Sequence, residues 1–185
     1  MSDSNRHITV YSAPFSEDSR DSHALLYRAA EKHTGLTASE LGSLTHTPLG
    51  KPSFSLAPHI HFSITHSGDR WLCGFSDAPL GIDLQIHRSY TPPARLSQRF
   101  FHPLEDAFLA ADDYARFFDL WCAKESWVKY TGQGFFDDPG SFSVVSGDGV
   151  FPVMEGAVLE LLPFAAGYSL CICSKTPSEL HFSTL

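Results

Sequence analysis

Apolar residues recur along this chain with two different periods, and the points where the period changes mark its elements. His7 to Tyr11 alternates as a short edge strand. Asp18 to Asp21 then offer caps for a helix in which Ala24, Leu25, Tyr27, Arg28, Ala29 and Ala30 lead toward a C-cap at Gly35. Thr37 and Glu40 have capping-box spacing for a second, short helix ending near Gly42. A loop holding Gly50-Lys51-Pro52 and Pro58 follows. From His61 the period shortens to two: residues 61–65, 71–75 and 80–84 are β-rich runs separated by turn residues at 67–69 and 77–79, which predicts a three-stranded meander.

Pro92 and Pro93 restart the helical spacing, with helices predicted over 94–100 and 104–110 and Pro103 in the first turn of the latter. The longest helix is predicted from Tyr114 to Tyr130, stopped by Gly132, with Phe117, Leu120, Trp121, Ala123, Trp127 and Val128 on a broad apolar face. Strands are expected again at 142–145, 157–162 and 168–173. Helices followed by strands, twice over, predict an α+β fold of two halves, residues 1–80 and 81–185, packed as one unit.

Composition narrows the function classes. With 43% hydrophobic and 18% charged residues in 185, the chain is neither disordered nor a coiled coil and is long enough to bury a core. Its formal charge of -8 excludes a nonspecific nucleic-acid binder and an anionic-membrane binder. Residues 81–185 carry 13 acidic against 7 basic side chains, so a cation belongs there. Cys73, Cys122, Cys171 and Cys173 lie in apolar runs with neither zinc-knuckle nor redox spacing, and are expected to be reduced core thiols. Without an apolar signal core or a run of membrane-span length, a cytoplasmic location is expected.

Three segments carry chemistry. In Trp121-Cys-Ala-Lys124-Glu125-Ser-Trp-Val-Lys129, Glu125 and Lys129 share a helix face, either as a simple salt bridge or, beside two tryptophans, as buried charges that need a ligand. In Gly81-Ile-Asp83-Leu-Gln85, alternation puts both oxygen-bearing side chains on one strand face. That face is either solvated or, completed by a helix carboxylate, a Mg²⁺ site. In Phe62-Ser-Ile-Thr-His66-Ser67-Gly68, hydroxyls, backbone N–H groups and an imidazole at a strand end suit a phosphate, or His66 is only a turn residue.

Taken in order, Gly50-Lys51-Pro52, the His66-Ser67 strand end, the Asp83-x-Gln85 strand, Arg99-Phe-Phe-His-Pro-Leu-Glu105 and the Trp121 to Lys129 helix resemble the motifs of 4′-phosphopantetheinyl transferases of the surfactin-synthetase type, over about residues 21–145. The resemblance implies two similar halves, each a small antiparallel sheet with helices, and an active site in the cleft between them. It implies Mg²⁺-dependent transfer of the phosphopantetheine arm of coenzyme A to a serine of an acyl or peptidyl carrier protein by a monomer, releasing adenosine 3′,5′-bisphosphate. Asp83, Gln85 and Glu125 would hold the metal. Lys124 and Lys129 would contact the coenzyme A phosphates, His66 and Ser67 would line the same site, and Lys51 and Pro52 would lie along the nucleotide. Glu105 would be the base for the carrier serine, with Glu125 and Lys129 the other catalytic groups. Gln85 stands where the pattern has Glu, which predicts weaker Mg²⁺ binding, and His23 stands where an arginine is common, leaving the 3′-phosphate to His23, Arg20 or Arg28. Two alternatives follow from the same residues: a catalytically degenerate relative that binds coenzyme A or a carrier protein, and a Mg²⁺-dependent phosphohydrolase.

Overall fold

Alternation along the strands sorts the side chains into three cores, one on each outer face of two sheets and one between them. The computed structural model describes residues 6–16, 21–48, 50–89, 92–132, 139–146, 154 and 156–185. Its strands are β1 (Arg6–Pro14), β2 (Leu44–His46), β3 (Pro52–Phe54), β4 (His61–Ser67), β5 (Arg70–Ser76), β6 (Leu80–Ile86), β7 (Val158–Leu162), β8 (Tyr168–Ser174) and β9 (Ser178–Thr184). Its helices are α1 (Ser22–Thr34), α2 (Ala38–Leu41), α3 (Pro93–Phe100), α4 (Pro103–Ala110) and α5 (Phe117–Thr131). The fold is α+β, as expected. One sheet has the order β4-β5-β1-β9 and another β6-β8-β7, and β2 and β3 form a small hairpin.

On the first sheet Tyr11, Trp71, Cys73 and Phe75 face α1, where they meet Leu26, Ala29 and Ala30. Their sequence neighbours Ile8, Val10 and Leu72 face the other way and pack against Leu80, Ile82, Leu84, Leu170 and Ile172 of the second sheet. The second sheet's remaining face, with Cys171, meets Leu120, Cys122 and Ala123 of α5. Because Ile82 and Leu84 are committed to the core between the sheets, Asp83 must point toward α5. All four cysteines are free and buried. Among the described residues, no helix is long and apolar enough to cross a membrane.

Several expected elements hold. The Thr37–Glu40 capping box forms, with both reciprocal hydrogen bonds, and Gly35 and Gly42 end α1 and α2. Asp18 and Arg20 lie outside the described residues. Gly132, at φ 74°, ends α5 in the left-handed conformation that glycine adopts without strain.

Other expectations are corrected. Strand β6 does not continue the β4–β5 meander, because β1 already holds the far edge of β5; β6 pairs with β8 instead, with Asp83 opposite Cys171. Strand β1 is not an edge strand, since β9 pairs with it in parallel from Arg6↔Ser178 to Ser12↔Thr184. Residues 178–184 therefore sit in the first sheet, across a division at residue 80, and that sheet is mixed rather than wholly antiparallel. Helix α5 starts at Phe117 rather than Tyr114, because Asp113 and Tyr114 both take positive φ. Residues 142–145 form no strand: the Val144 N–H is spent on the carboxylate of Glu105.

Candidate active site

Strand β6 and helix α5 approach so closely that a Cβ on Gly81 would fall on the carbonyl oxygen of Ser126. That approach lays the Glu125–Lys129 face of α5 over the polar face of β6. Asp83, 3% exposed, is the hub. Its Oδ1 accepts from Lys129 Nζ at 2.7 Å and from Thr65 Oγ1 at 3.1 Å, and its Oδ2 accepts from Gln85 Nε2 at 2.9 Å. Lys129 Nζ also donates to the Ile82 carbonyl at 3.1 Å. Glu125 joins this group. Burial, then the neighbouring charge of Asp83, push its carboxyl up to about 7, against the opposing pull of Lys129.

Two carboxylates facing one ammonium leave a local excess of negative charge, which a divalent cation would offset. The oxygen donors fit a hard ion such as Mg²⁺. Among the described residues no three His, Cys, Asp or Glu side chains cluster, so the third protein donor would be the amide oxygen of Gln85. Gln85 presents its amide N–H to Asp83, and presenting the oxygen requires rotation of the amide.

Glu125 and Lys129 line a cleft of about 330 Å³ together with Lys51, Pro52, Ile64 and Val128. A neighbouring cavity of about 510 Å³ shares Lys51, Pro52, Phe62 and Gly132 with it and extends past Ser53 and His61. Lys51 packs its stem on Gly132 and donates from Nζ to the carbonyls of Leu80 at 2.9 Å and Tyr130 at 3.3 Å. It thereby caps the last turn of α5, and burial holds its amine at about 8.

Lys124, one residue from Glu125, projects to another side of α5. Its Nζ lies 3.0 Å from Glu105 Oε1, 2.9 Å from Glu105 Oε2 and 2.8 Å from the Phe142 carbonyl, over the Phe142 ring. Glu105 is 0% exposed and also accepts from the backbone N–H groups of Val144 at 2.8 Å and His102 at 3.0 Å, the latter closing a capping box on α4. A general base must reach the proton that it takes. Glu105 is buried and bonded on both oxygens, so to take the proton of the carrier serine, its expected role, it would have to exchange one of these partners. Lys124 is absent from the lining of that cleft and lines, with Glu125, Val128, Phe101 and Trp121, an adjoining cavity of about 270 Å³.

His66 is exposed and stacks on Phe15 with ring centroids 4.5 Å apart. His23 is exposed in the first turn of α1. Neither lines the cleft, and neither does Ser67. The Ser67 hydroxyl accepts the Ile86 N–H at 3.0 Å, and it has company: Ser63 Oγ accepts the Ile82 N–H at 3.1 Å and Thr65 Oγ1 the Leu84 N–H at 3.2 Å. Hydroxyls on alternate residues of β4 thus satisfy the free edge of β6. The signal of this ladder in the sequence is a hydroxyl at every second position from 63 to 67.

Comparison with known proteins fits this geometry. The 4′-phosphopantetheinyl transferase superfamily matches residues 79–173, the stretch that carries Asp83, Glu125 and Lys129. A 4′-phosphopantetheinyl transferase of Bacillus subtilis is 32% identical over 166 residues, 83% of this chain and 71% of that protein. The 4′-phosphopantetheinyl transferase Sfp of Bacillus subtilis strain 168 is 32% identical over 69% of this chain. The 4′-phosphopantetheinyl transferase psf-1 of Bacillus pumilus is 32% identical over 70%. This chain spans 61% and 59% of the length of those last two proteins. With a family match over half its length and a relative aligned over most of both chains, this chain belongs to the 4′-phosphopantetheinyl transferase superfamily.

Proposed function

We propose that this chain transfers the 4′-phosphopantetheine arm of coenzyme A to a serine hydroxyl of an apo acyl or peptidyl carrier protein, with Mg²⁺, releasing adenosine 3′,5′-bisphosphate. One observation carries the reading: Glu125 and Lys129 line an open cleft, and the buried carboxylate of Asp83 lies directly behind them, bonded to the Lys129 ammonium. A pyrophosphate needs that combination. Asp83 and Glu125, with Gln85, would hold a Mg²⁺. When bound, the ion supplies charge neutralisation on the diphosphate oxygens.

The chain's own residues do the rest. The carrier serine attacks the phosphorus that bears the pantetheine, and the bond from that phosphorus to the oxygen of the nucleotide phosphate breaks. Lys129, 29% exposed at the side chain, lines the cleft beside Asp83 and would direct its positive charge at the departing oxygen. Lys51 and Pro52 form the wall along which the nucleotide lies, with the Lys51 ammonium engaged by backbone carbonyls. Glu105 and Lys124 act from beneath, fixing α4 and the 142–144 segment against α5. The serine proton passes to water in the cleft.

Product analysis tests the proposal. Coenzyme A, an apo carrier protein and Mg²⁺ should yield adenosine 3′,5′-bisphosphate in equal amount to modified carrier. Free phosphopantetheine with unmodified carrier would show hydrolysis instead, and coenzyme A binding without turnover would show a degenerate binder.

A further inference from the structure

The threonine of β4 touches the site in a way that its neighbours on the ladder do not. Thr65 is 5% exposed. Its hydroxyl accepts the Leu84 N–H at 3.2 Å, and a hydroxyl has only one proton to give. That proton goes to Asp83 Oδ1 at 3.1 Å, the oxygen that Lys129 also contacts. Ser63 and Ser67, two residues to either side, accept the equivalent N–H groups of Ile82 and Ile86. Among the described residues, Thr65 is the one rung of the ladder with a hydrogen bond to the Asp83 carboxylate.

We infer that Thr65 is a positioning residue: it orients the Asp83 carboxylate for metal binding by donating to Oδ1 while the rung it forms with Leu84 fixes its own hydroxyl. This inference rests on the proposed function, in which Asp83 is a metal ligand. The chemistry is that of a group behind a ligand, which fixes the ligand's rotamer and leaves the second oxygen to face the ion; loss of such a group costs about 10- to 100-fold in metal affinity. The two bonds also fix the direction of the hydroxyl without a water, because donor and acceptor are both buried on the same strand edge. A serine satisfies both bonds. A valine, of the same shape, satisfies neither.

The test is Mn²⁺ binding to the full chain in the presence of coenzyme A, measured by electron paramagnetic resonance on wild type, Thr65→Val, Thr65→Ser and Ser63→Ala. Thr65→Val should weaken Mn²⁺ by about 10-fold or more, and Thr65→Ser should keep the wild-type affinity. Ser63→Ala removes a neighbouring rung and lowers the melting temperature, yet should leave Mn²⁺ affinity unchanged. If the valine variant fails to fold, Thr65→Ala, with room for a water at the Leu84 N–H, carries the same expectation. Equal Mn²⁺ affinity in wild type and the folded valine or alanine variant overturns the inference, as does an equal loss in Ser63→Ala. Absence of Mn²⁺ binding in wild type itself overturns the proposed function, and the inference with it.

Discussion

The ammonium of Lys129 lies 2.7 Å from Oδ1 of Asp83, so the helix delivers a cation that lines the cleft to a carboxylate buried on the strand beneath it. Glycine at 81 makes that possible, because any larger residue would hold α5 away from β6. The pair is more than a surface salt bridge, since Asp83 is buried and Glu125 adds a second negative charge beside it. Replacing Lys129 with methionine removes the positive charge that pairs with Asp83. The expected result is a drop in kcat/KM for carrier modification of about 100-fold or more at saturating Mg²⁺. Steady-state kinetics check it, and an unchanged kcat/KM would remove Lys129 from the reaction.

The pH dependence follows from Glu125. Its carboxyl, ordinarily near 4.5, titrates at about 7 in the folded chain, because burial and then Asp83 penalise the charged form. A folded-state value above the unfolded one means that the folded chain holds the extra proton between 4.5 and about 7. The stability that this proton carries is complete below 4.5 and is lost as pH rises through about 7. Metal binding runs the other way, since the cation needs the deprotonated carboxylate. Mg²⁺ affinity should therefore fall by about tenfold per pH unit below 7, as one proton competes with the ion. In Glu125→Gln this fall should vanish along with activity, which calorimetric titration of Mg²⁺ at pH 6, 7 and 8 measures.

Gln85 tunes the same site. Its amide N–H bonds to Asp83 Oδ2 and offsets part of the negative charge there. Gln85→Glu exchanges that donor for a third carboxylate. It should tighten the apparent Mg²⁺ affinity by roughly 3- to 10-fold and lower the melting temperature of the metal-free protein. Activity as a function of Mg²⁺, together with thermal melts in a chelator, shows both. An unchanged or weaker apparent affinity would mean that position 85 does not face the ion.

Glu105 and Lys124 form a buried ion pair, 0% and 6% exposed at the side chain. Lys124→Met strands a buried carboxylate and should cost about 3–5 kcal/mol, whereas the double variant Glu105→Leu, Lys124→Met should recover much of that loss. Urea unfolding reads the difference. Glu105→Gln, per folded molecule, should keep turnover within about 10-fold of wild type with the shape of its pH profile intact, since a base would supply about 10²–10⁴. A larger loss with an altered acidic limb would mark Glu105 as the base.

Local signals in the sequence carried far into the structure. Alternation in Gly81 to Gln85 separated Asp83 and Gln85 from Ile82 and Leu84, and the folded strand divides them along the same line. The capping box at Thr37 and the stop at Gly132 depend on near neighbours and were equally legible. Pairing between distant segments was not. Strand β9 has only Leu180 and Phe182 alternating among polar residues, and its place beside β1 is fixed by a sheet edge more than 160 residues away in sequence. The fates of Glu105 and Lys124 depend on how the 142–144 segment closes over α4 and α5, which no periodicity encodes. The ladder from Ser63 to Ser67 was visible as alternate hydroxyls, but its partner, the free edge of β6, emerges only once β6 leaves the first sheet for the second.

The most direct measurement is the intact mass of an apo carrier protein after incubation with this chain and coenzyme A, with Mg²⁺ or with a chelator. The account predicts a gain of one phosphopantetheine arm that requires Mg²⁺ and is lost in Glu125→Gln. A folded chain that binds coenzyme A and Mg²⁺ yet leaves every acyl and peptidyl carrier protein at its apo mass would contradict it.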